Sequence, residues 1–282
     1  MRTIDGLPNL IVIGAHKCGT SSLHYYLGLH PQVCMSKFKE LNFFVAERNW
    51  SRGRDWYRSQ FSGPADIIGE SSPLYADYPA CGGVPARMHG VIPDARLIYL
   101  VRDPVERILS HYTHWYALRQ EHDALSDVVA RPAALSSYIN RSLYHMQLQQ
   151  YLPFYDLNDI LVVASEDLRD RRRATLAEVF RFLGIDASFD TPKFRRLKHQ
   201  GSEKRRLSHL GRALHDASYN HMNPLLPAVQ RLVTRWLEVP LSRPFSRPEL
   251  TAGLRGRLQE ELRPDAERLR ALTGRTLSGW SI

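Results

Sequence analysis

Apolar residues occur along this chain in short dense runs separated by longer amphipathic stretches, the alternation expected of a mainly parallel sheet with helices on its faces. The run Leu10–Ile13 is short enough for a buried strand. It breaks at Gly14, and a small polar loop then opens a helix predicted over Thr20–Leu29. Asp66–Glu70 predicts a second strand, ending in the polar turn Ser71-Ser72-Pro73. Arg96–Val101 carries the strongest strand pattern and stops at Arg102-Asp103-Pro104. There Asp103 can cap, and Pro104 can open, a helix running to about Arg119. Ile160–Ala164 predicts a fourth strand, and Arg172–Leu183 a helix stopped by Gly184. Asp186–Tyr219 is polar, basic and poorly periodic, which predicts a long loop or lid. Pro248–Leu272 spaces leucines among charges at a helical period and predicts a terminal helix. No repeat or linker-like composition divides the chain, so residues 1–282 are expected to form a single α/β domain.

Composition adds constraints. With 43% hydrophobic and 24% charged residues the chain is ordinary for a globular protein. No apolar run approaches the ~18 residues of a membrane span, and Met1–Asp5 shows no leader pattern. Three cysteines (Cys18, Cys34 and Cys81) are too few and too irregular for a disulfide framework, so a reducing cytoplasm is the expected compartment. The formal charge of +9 suits nucleic acid, membranes or small anions. Its excess lies in Arg169–Arg173 and Lys193–Arg206, without the interleaved aromatics that stack RNA bases, so no nucleic-acid partner is expected. A small anionic ligand explains the charge more simply.

The loop Gly14-x4-Gly19-Thr20 has the chemistry for such a ligand. Backbone N–H groups at a helix start are unpaired and carry partial positive charge. Lys17 adds a cation, and Thr20, Ser21 and Ser22 add hydroxyl donors, which points to phosphate or sulfate. A nucleoside-triphosphate loop places its lysine directly after the second glycine, followed by a magnesium-binding Ser or Thr. Here Lys17 precedes Gly19 and Thr20 follows it, so a magnesium-centred geometry is not expected. Cys18 invites a phosphatase reading, since a thiolate at a helix start is activated. The arginine such a loop needs would stand where His24 is, which leaves Cys18 as a small loop residue. A second anion grip is offered by Arg102, just beyond a strand end, and by Ser110 about two helical turns later. A guanidinium and a hydroxyl together suit one phosphate; surface pairing of Arg102 with Asp103 or Glu106 is the alternative. His111 and His114 share a helical spacing but lack a matching third ligand, so no metal is expected.

Further motifs accompany these two elements in order: Lys39-Glu40-Leu41-Asn42-Phe43-Phe44, Gly69-Glu70-Ser71-Ser72-Pro73-Leu74-Tyr75, and Leu100-Val101-Arg102-Asp103-Pro104-Val105-Glu106-Arg107. The weaker Ser165-Glu166-Asp167-Leu168 and Phe182-Leu183-Gly184 follow. From Asn9 to about Arg206 the chain resembles the sulfotransferases that use 3′-phosphoadenosine 5′-phosphosulfate (PAPS). The likeness is to the branch holding the heparan sulfate sulfotransferase domains and their bacterial relatives. This resemblance implies a P-loop-like sulfotransferase fold in which Lys17, Cys18, Gly19, Thr20, Ser21 and Ser22 wrap the 5′-phosphosulfate. It implies that Arg102 and Ser110 bind the 3′-phosphate, with Lys204 and Arg205 of a basic loop closing over it. Lys17 is then the cation at the leaving oxygen, and Glu40 the base for a hydroxyl or amine of a small-molecule or carbohydrate acceptor. The product is adenosine 3′,5′-bisphosphate. His16 is the rival to Glu40 as base, or a substrate contact. Two departures stand out: Ser71 replaces a lysine found in many relatives, and Ser142-Leu143-Tyr144 replaces a Gly-x-Tyr segment. A P-loop kinase and a non-catalytic polyanion-binding module are the competing expectations.

Overall fold

A computed structural model describes residues 6–130, 136–195, 205–213, 240–246 and 248–282. Five strands, β1 (Leu10–Gly14), β2 (Val33–Met35), β3 (Ile67–Ser71), β4 (Arg96–Val101) and β5 (Ile160–Ala164), form one sheet ordered β2-β3-β1-β4-β5. Every pairing in it is parallel. All residues of β1 and β3 are buried. That explains why β1 reads as a continuous apolar run: both faces of a parallel sheet are covered.

The helices among the described residues include α1 (Thr20–Leu27), α2 (Gly53–Arg58), α3 (Val84–His89), α4 (Pro104–Ala117), α5 (Leu125–Ala130), α6 (Ser137–Asn140), α7 (Tyr144–Gln149), α8 (Ser165–Asp170), α9 (Arg172–Leu183) and α10 (Ala252–Thr273). The bounds of β4, β5 and α9 are those expected, and α10 lies where a terminal helix was expected. Asp103 caps α4 as anticipated, its carboxylate accepting the Glu106 N–H at 3.0 Å. Gly184 ends α9 at φ 71°, a left-handed conformation that costs glycine nothing.

Three expectations are corrected. β2 has only three residues, Val-Cys-Met, too few to set up a readable pattern. Ser71 closes β3 instead of opening a turn, because its backbone is still paired beside Val12. Within the stretch expected as loop, β6 (Arg205–Leu207) pairs antiparallel with β7 (Ser242–Pro244); residues 196–204 and 214–239 lie outside the described residues.

The sheet order places β1 between β3 and β4. The chain leaves β1 toward β3 on one side and later returns as β4 on the other, so a crevice opens at their carboxyl ends, where such sheets bind ligands. Packing at that end is tight: a Cβ on Gly14 would stand 2.9 Å from the Ala76 Cβ and 3.1 Å from the Tyr99 ring. The far end of the chain braces the same region. Buried Asp265 of α10 accepts the backbone N–H groups of His145 and Met146 at 2.9 Å each, capping α7.

Below the crevice lies a buried polar cluster. Arg141 grips Asp77 with two hydrogen bonds, the first at 2.6 Å, and both side chains are buried. Fully buried Arg107 donates to Ser142 and to the Tyr138 carbonyl. Asp77→Ala would leave the Arg141 charge without its partner. The expected cost is about 3–5 kcal/mol, with Tm falling by on the order of 10 °C. A melting curve superimposing on the wild type would contradict that role for the pair.

Candidate active site

The loop between β1 and α1 is tied to the neighbouring strand by the Ala15 N–H, which donates to the Leu100 carbonyl at 2.6 Å. It turns through left-handed backbone at Lys17 (φ 70°) and Gly19 (φ 92°). For lysine that conformation is strained, and such strain collects at functional sites. Gly19 is the N-cap of α1, and no side chain caps the helix. A glycine N-cap supplies no side-chain acceptor of its own to the positive end of the helix, which fits an anionic ligand. Thr20 is buried at this end, with Ser21 and Ser22 half-buried.

Lys17 reports what surrounds it. Burial is the largest influence and lowers its ammonium to about 8. Glu40 acts in the opposite sense, while Lys39 and Arg102 push it down further. Lys39, Arg102 and Glu40 thus all lie within electrostatic reach of Lys17.

Tyr144 joins the two anion grips. Its hydroxyl accepts the Arg102 N–H at 3.4 Å and lies 3.5 Å from the Cys18 sulfur. Cys18 is fully buried, and burial raises its thiol to about 11, so it is protonated at neutral pH and is no nucleophile. Arg102 reaches Glu106 only at 3.9 Å, and Glu106 is held more closely by Arg255 at 3.1 Å. Asp103, the other proposed surface partner, is committed to the Glu106 and Ser281 N–H groups. Ser110 sits two turns along α4, half-buried.

Glu40 lies in the loop after β2 with φ 65°, and its N–H donates to the Ser71 carbonyl at 2.9 Å. Its carboxylate contacts the Lys39 ammonium and is 37% exposed, open to an incoming acceptor. Ser71, in place of the relatives' lysine, is buried and turned to α1, its hydroxyl 3.0 Å from His24 Nδ1. Burial lowers His24 to about 4, so that imidazole is neutral.

His16 stands 5.7 Å from His111, ring centre to ring centre. Its Nδ1 is buried without a hydrogen-bond partner. Burial, and then the positive charge of Arg141, Lys17, Arg107 and Lys39, keep this ring neutral. His111 is fully buried with Nδ1 3.4 Å from Arg107 and Nε2 3.2 Å from Arg141, a packing role. Among the described residues no three His, Cys, Asp or Glu side chains gather as a metal site would require.

Lys204 lies outside the described residues. Arg205 turns its guanidinium onto β7, donating to the Ser242 hydroxyl at 2.9 Å and carbonyl at 2.8 Å; no contact joins it to Arg102 or Ser110. Sequence reasoning passed over Lys39 and the bridging Tyr144, though both stood inside quoted segments. Neither reveals its role until the strands are aligned.

The sulfotransferase domain family matches residues 7–206. Human bifunctional heparan sulfate N-deacetylase/N-sulfotransferase 2 is 32% identical over 204 residues, 65% of this chain and 23% of that protein. The human N-deacetylase/N-sulfotransferase 1 is 29% identical over 215 residues, 68% of this chain and 24% of that one. The chain therefore spans about a quarter of the length of these relatives. The crystal structure of a sulfotransferase from Alicyclobacillus acidocaldarius superposes with a TM-score of 0.70 at 25% identity, covering 98% of this chain and 99% of that one. No helix among the described residues is long and apolar enough to cross a membrane. With the parallel sheet, the uncapped loop at its switch point and this match over most of its length, the chain belongs to the sulfotransferase family, enzymes that move a sulfuryl group from PAPS to an acceptor.

Proposed function

We propose that the crevice above β1 and β4 holds PAPS by both ends and passes its sulfuryl group to a hydroxyl or amine of a small-molecule or carbohydrate acceptor. The uncapped start of α1, with Lys17, Thr20, Ser21 and Ser22, binds the 5′ end, while Arg102 and Ser110 bind the 3′-phosphate. Bound there, the nucleotide supplies the sulfuryl group and the phosphate that leaves with the bonding electron pair. Lys17 stabilises the negative charge that grows on the leaving oxygen. Glu40 takes the acceptor's proton. His16, whose Nδ1 is buried without a hydrogen-bond partner, is the rival base or a contact to the acceptor.

The single observation that carries this reading is that the Lys17 loop and Arg102 follow adjacent parallel strands, with the Tyr144 hydroxyl touching both Cys18 and Arg102. The names of the heparan sulfate relatives support a carbohydrate acceptor. Three further observations support the rest of the reading. The exposed Arg169, Arg171 and Arg173 are paired with Asp170, Asp167 and Asp190, which favours a small anion over a polyanion. Cys18, Cys34 and Cys81 are free thiols, as in a reducing cytoplasm. The packing of α10 on α7 and α4 favours one domain for the chain.

Arg102→Ala tests the 3′ grip. Loss of a charged hydrogen bond to phosphate should weaken adenosine 3′,5′-bisphosphate by about 10- to 100-fold in calorimetry. Unchanged affinity removes Arg102 from the site.

A further inference from the structure

Directly behind the Glu40 loop lies a buried carboxylate to which the proposed chemistry gives no task. Glu70, in β3, is fully buried and has no ion-pair partner among the described residues. Three hydroxyls converge on it: Tyr57 at 2.6 Å and Tyr75 at 2.7 Å on Oε1, and Ser72 at 2.8 Å on Oε2. Burial pushes this carboxyl up, while the hydrogen bonds from the three hydroxyls hold it down; in its ionised form it only accepts, so each hydroxyl points its hydrogen inward.

That fixed direction has a consequence on the outer side of two of them. With its hydrogen committed to Glu70, the Ser72 oxygen accepts the Asn42 N–H at 3.0 Å. The Tyr75 oxygen likewise accepts the Phe44 N–H at 3.4 Å. Together with the bond from the Glu40 N–H to the Ser71 carbonyl, alternate amides at 40, 42 and 44 hang on β3 and the turn after it. Glu40 (φ 65°) and Asn42 (φ 48°) are both left-handed, so this stretch is a strained backbone that needs anchors to persist. Tyr57 is the exception among the three, since no loop amide reaches its hydroxyl.

We propose that Glu70 is the positioning residue of the 40–44 loop: its buried charge sets the polarity of the Ser72 and Tyr75 hydroxyls, and they hold the backbone that presents Glu40. The effect on turnover rests on the reading of Glu40 as the base; the effect on the loop does not. Glu70→Gln preserves shape but turns an N–H₂ toward Ser72. The Ser72 oxygen then faces two N–H groups while its own hydrogen has no acceptor.

The test is amide hydrogen exchange by mass spectrometry on the full chain, paired with steady-state kinetics and bisphosphate calorimetry. Glu70→Gln and the milder Ser72→Ala should each speed exchange in the peptide spanning 39–45 by at least about tenfold, leaving the β1 and β4 peptides at wild-type rates. In both, kcat should fall by at least about tenfold while the bisphosphate Kd stays within about twofold. Tyr57→Phe removes a hydrogen bond to the same carboxylate oxygen but should leave the 39–45 peptide unchanged. Unchanged exchange at 39–45 in Glu70→Gln and Ser72→Ala overturns the proposal. So does faster exchange spread evenly over the sheet, or an equal effect of Tyr57→Phe, since each marks a merely structural carboxylate. Selective loosening with full turnover, in these variants and in Glu40→Gln alike, supports the positioning and instead removes Glu40 as the base.

Discussion

Lys17→Ala should lower kcat by roughly 10²- to 10³-fold, the loss seen when one preorganised group facing a developing oxyanion is removed. The charge it stabilises appears only as the bond to the sulfuryl group breaks, so the effect belongs to kcat more than to nucleotide binding. The lysine also makes the reaction pH-dependent in a definite direction. Its ammonium is lowered to about 8, mainly by burial. Below that pH it is charged and active; as pH rises through about 8 it loses its proton, and kcat/KM, which reports the free enzyme, should fall. Bound phosphates favour the charged form, so the limb in kcat should lie at higher pH. Lys17→Arg separates charge from shape, because a guanidinium stays protonated throughout this range. Its rate can be lower overall, but the alkaline limb of kcat/KM should vanish. A limb that persists in Lys17→Arg assigns the titration to another group.

The second large effect is expected from Glu40→Gln. Removing a general base costs about 10²- to 10⁴-fold in turnover, and the amide keeps the size and most contacts of the side chain. Bisphosphate affinity should stay at the wild-type value, since neither proposed phosphate grip includes Glu40. Turnover close to wild type would transfer the proton to His16, whose Nδ1 lies buried and unpartnered beside the loop.

What could be read from the sequence follows from how locally each feature is encoded. β4, β5 and α9 are bounded by their own residues: dense apolar runs for the strands, the Asp103-Pro104 break just after β4, and the glycine stop of α9. β2 was missed because its strand character comes from its neighbour, with Val33, Cys34 and Met35 held beside Ile67, Ile68 and Gly69 of β3. The candidate anion loop was legible because glycine spacing, a lysine and hydroxyls sit in one short segment. The nearness of Lys17 to Arg102 was not, since it depends on β1 and β4 lying side by side, which the resemblance could only imply. The Tyr144 bridge and the Glu70 cluster were hidden for the same reason: each joins residues from strands, helices and loops far apart in the chain. Ser71 was noticed as a departure, but that its hydroxyl would be taken up by His24 follows only from the packing of α1 on β3.

Calorimetry with two nucleotides addresses the two-ended grip most directly. Adenosine 3′,5′-bisphosphate and adenosine 5′-monophosphate differ only in the phosphate assigned to Arg102 and Ser110. The wild type should bind the bisphosphate at least about tenfold more tightly, Arg102→Ala should erase that preference, and Lys17→Ala should weaken both ligands alike. Equal affinity for the two nucleotides in the wild type, or a preference that survives in Arg102→Ala, would mean that this crevice does not hold the nucleotide by both phosphates.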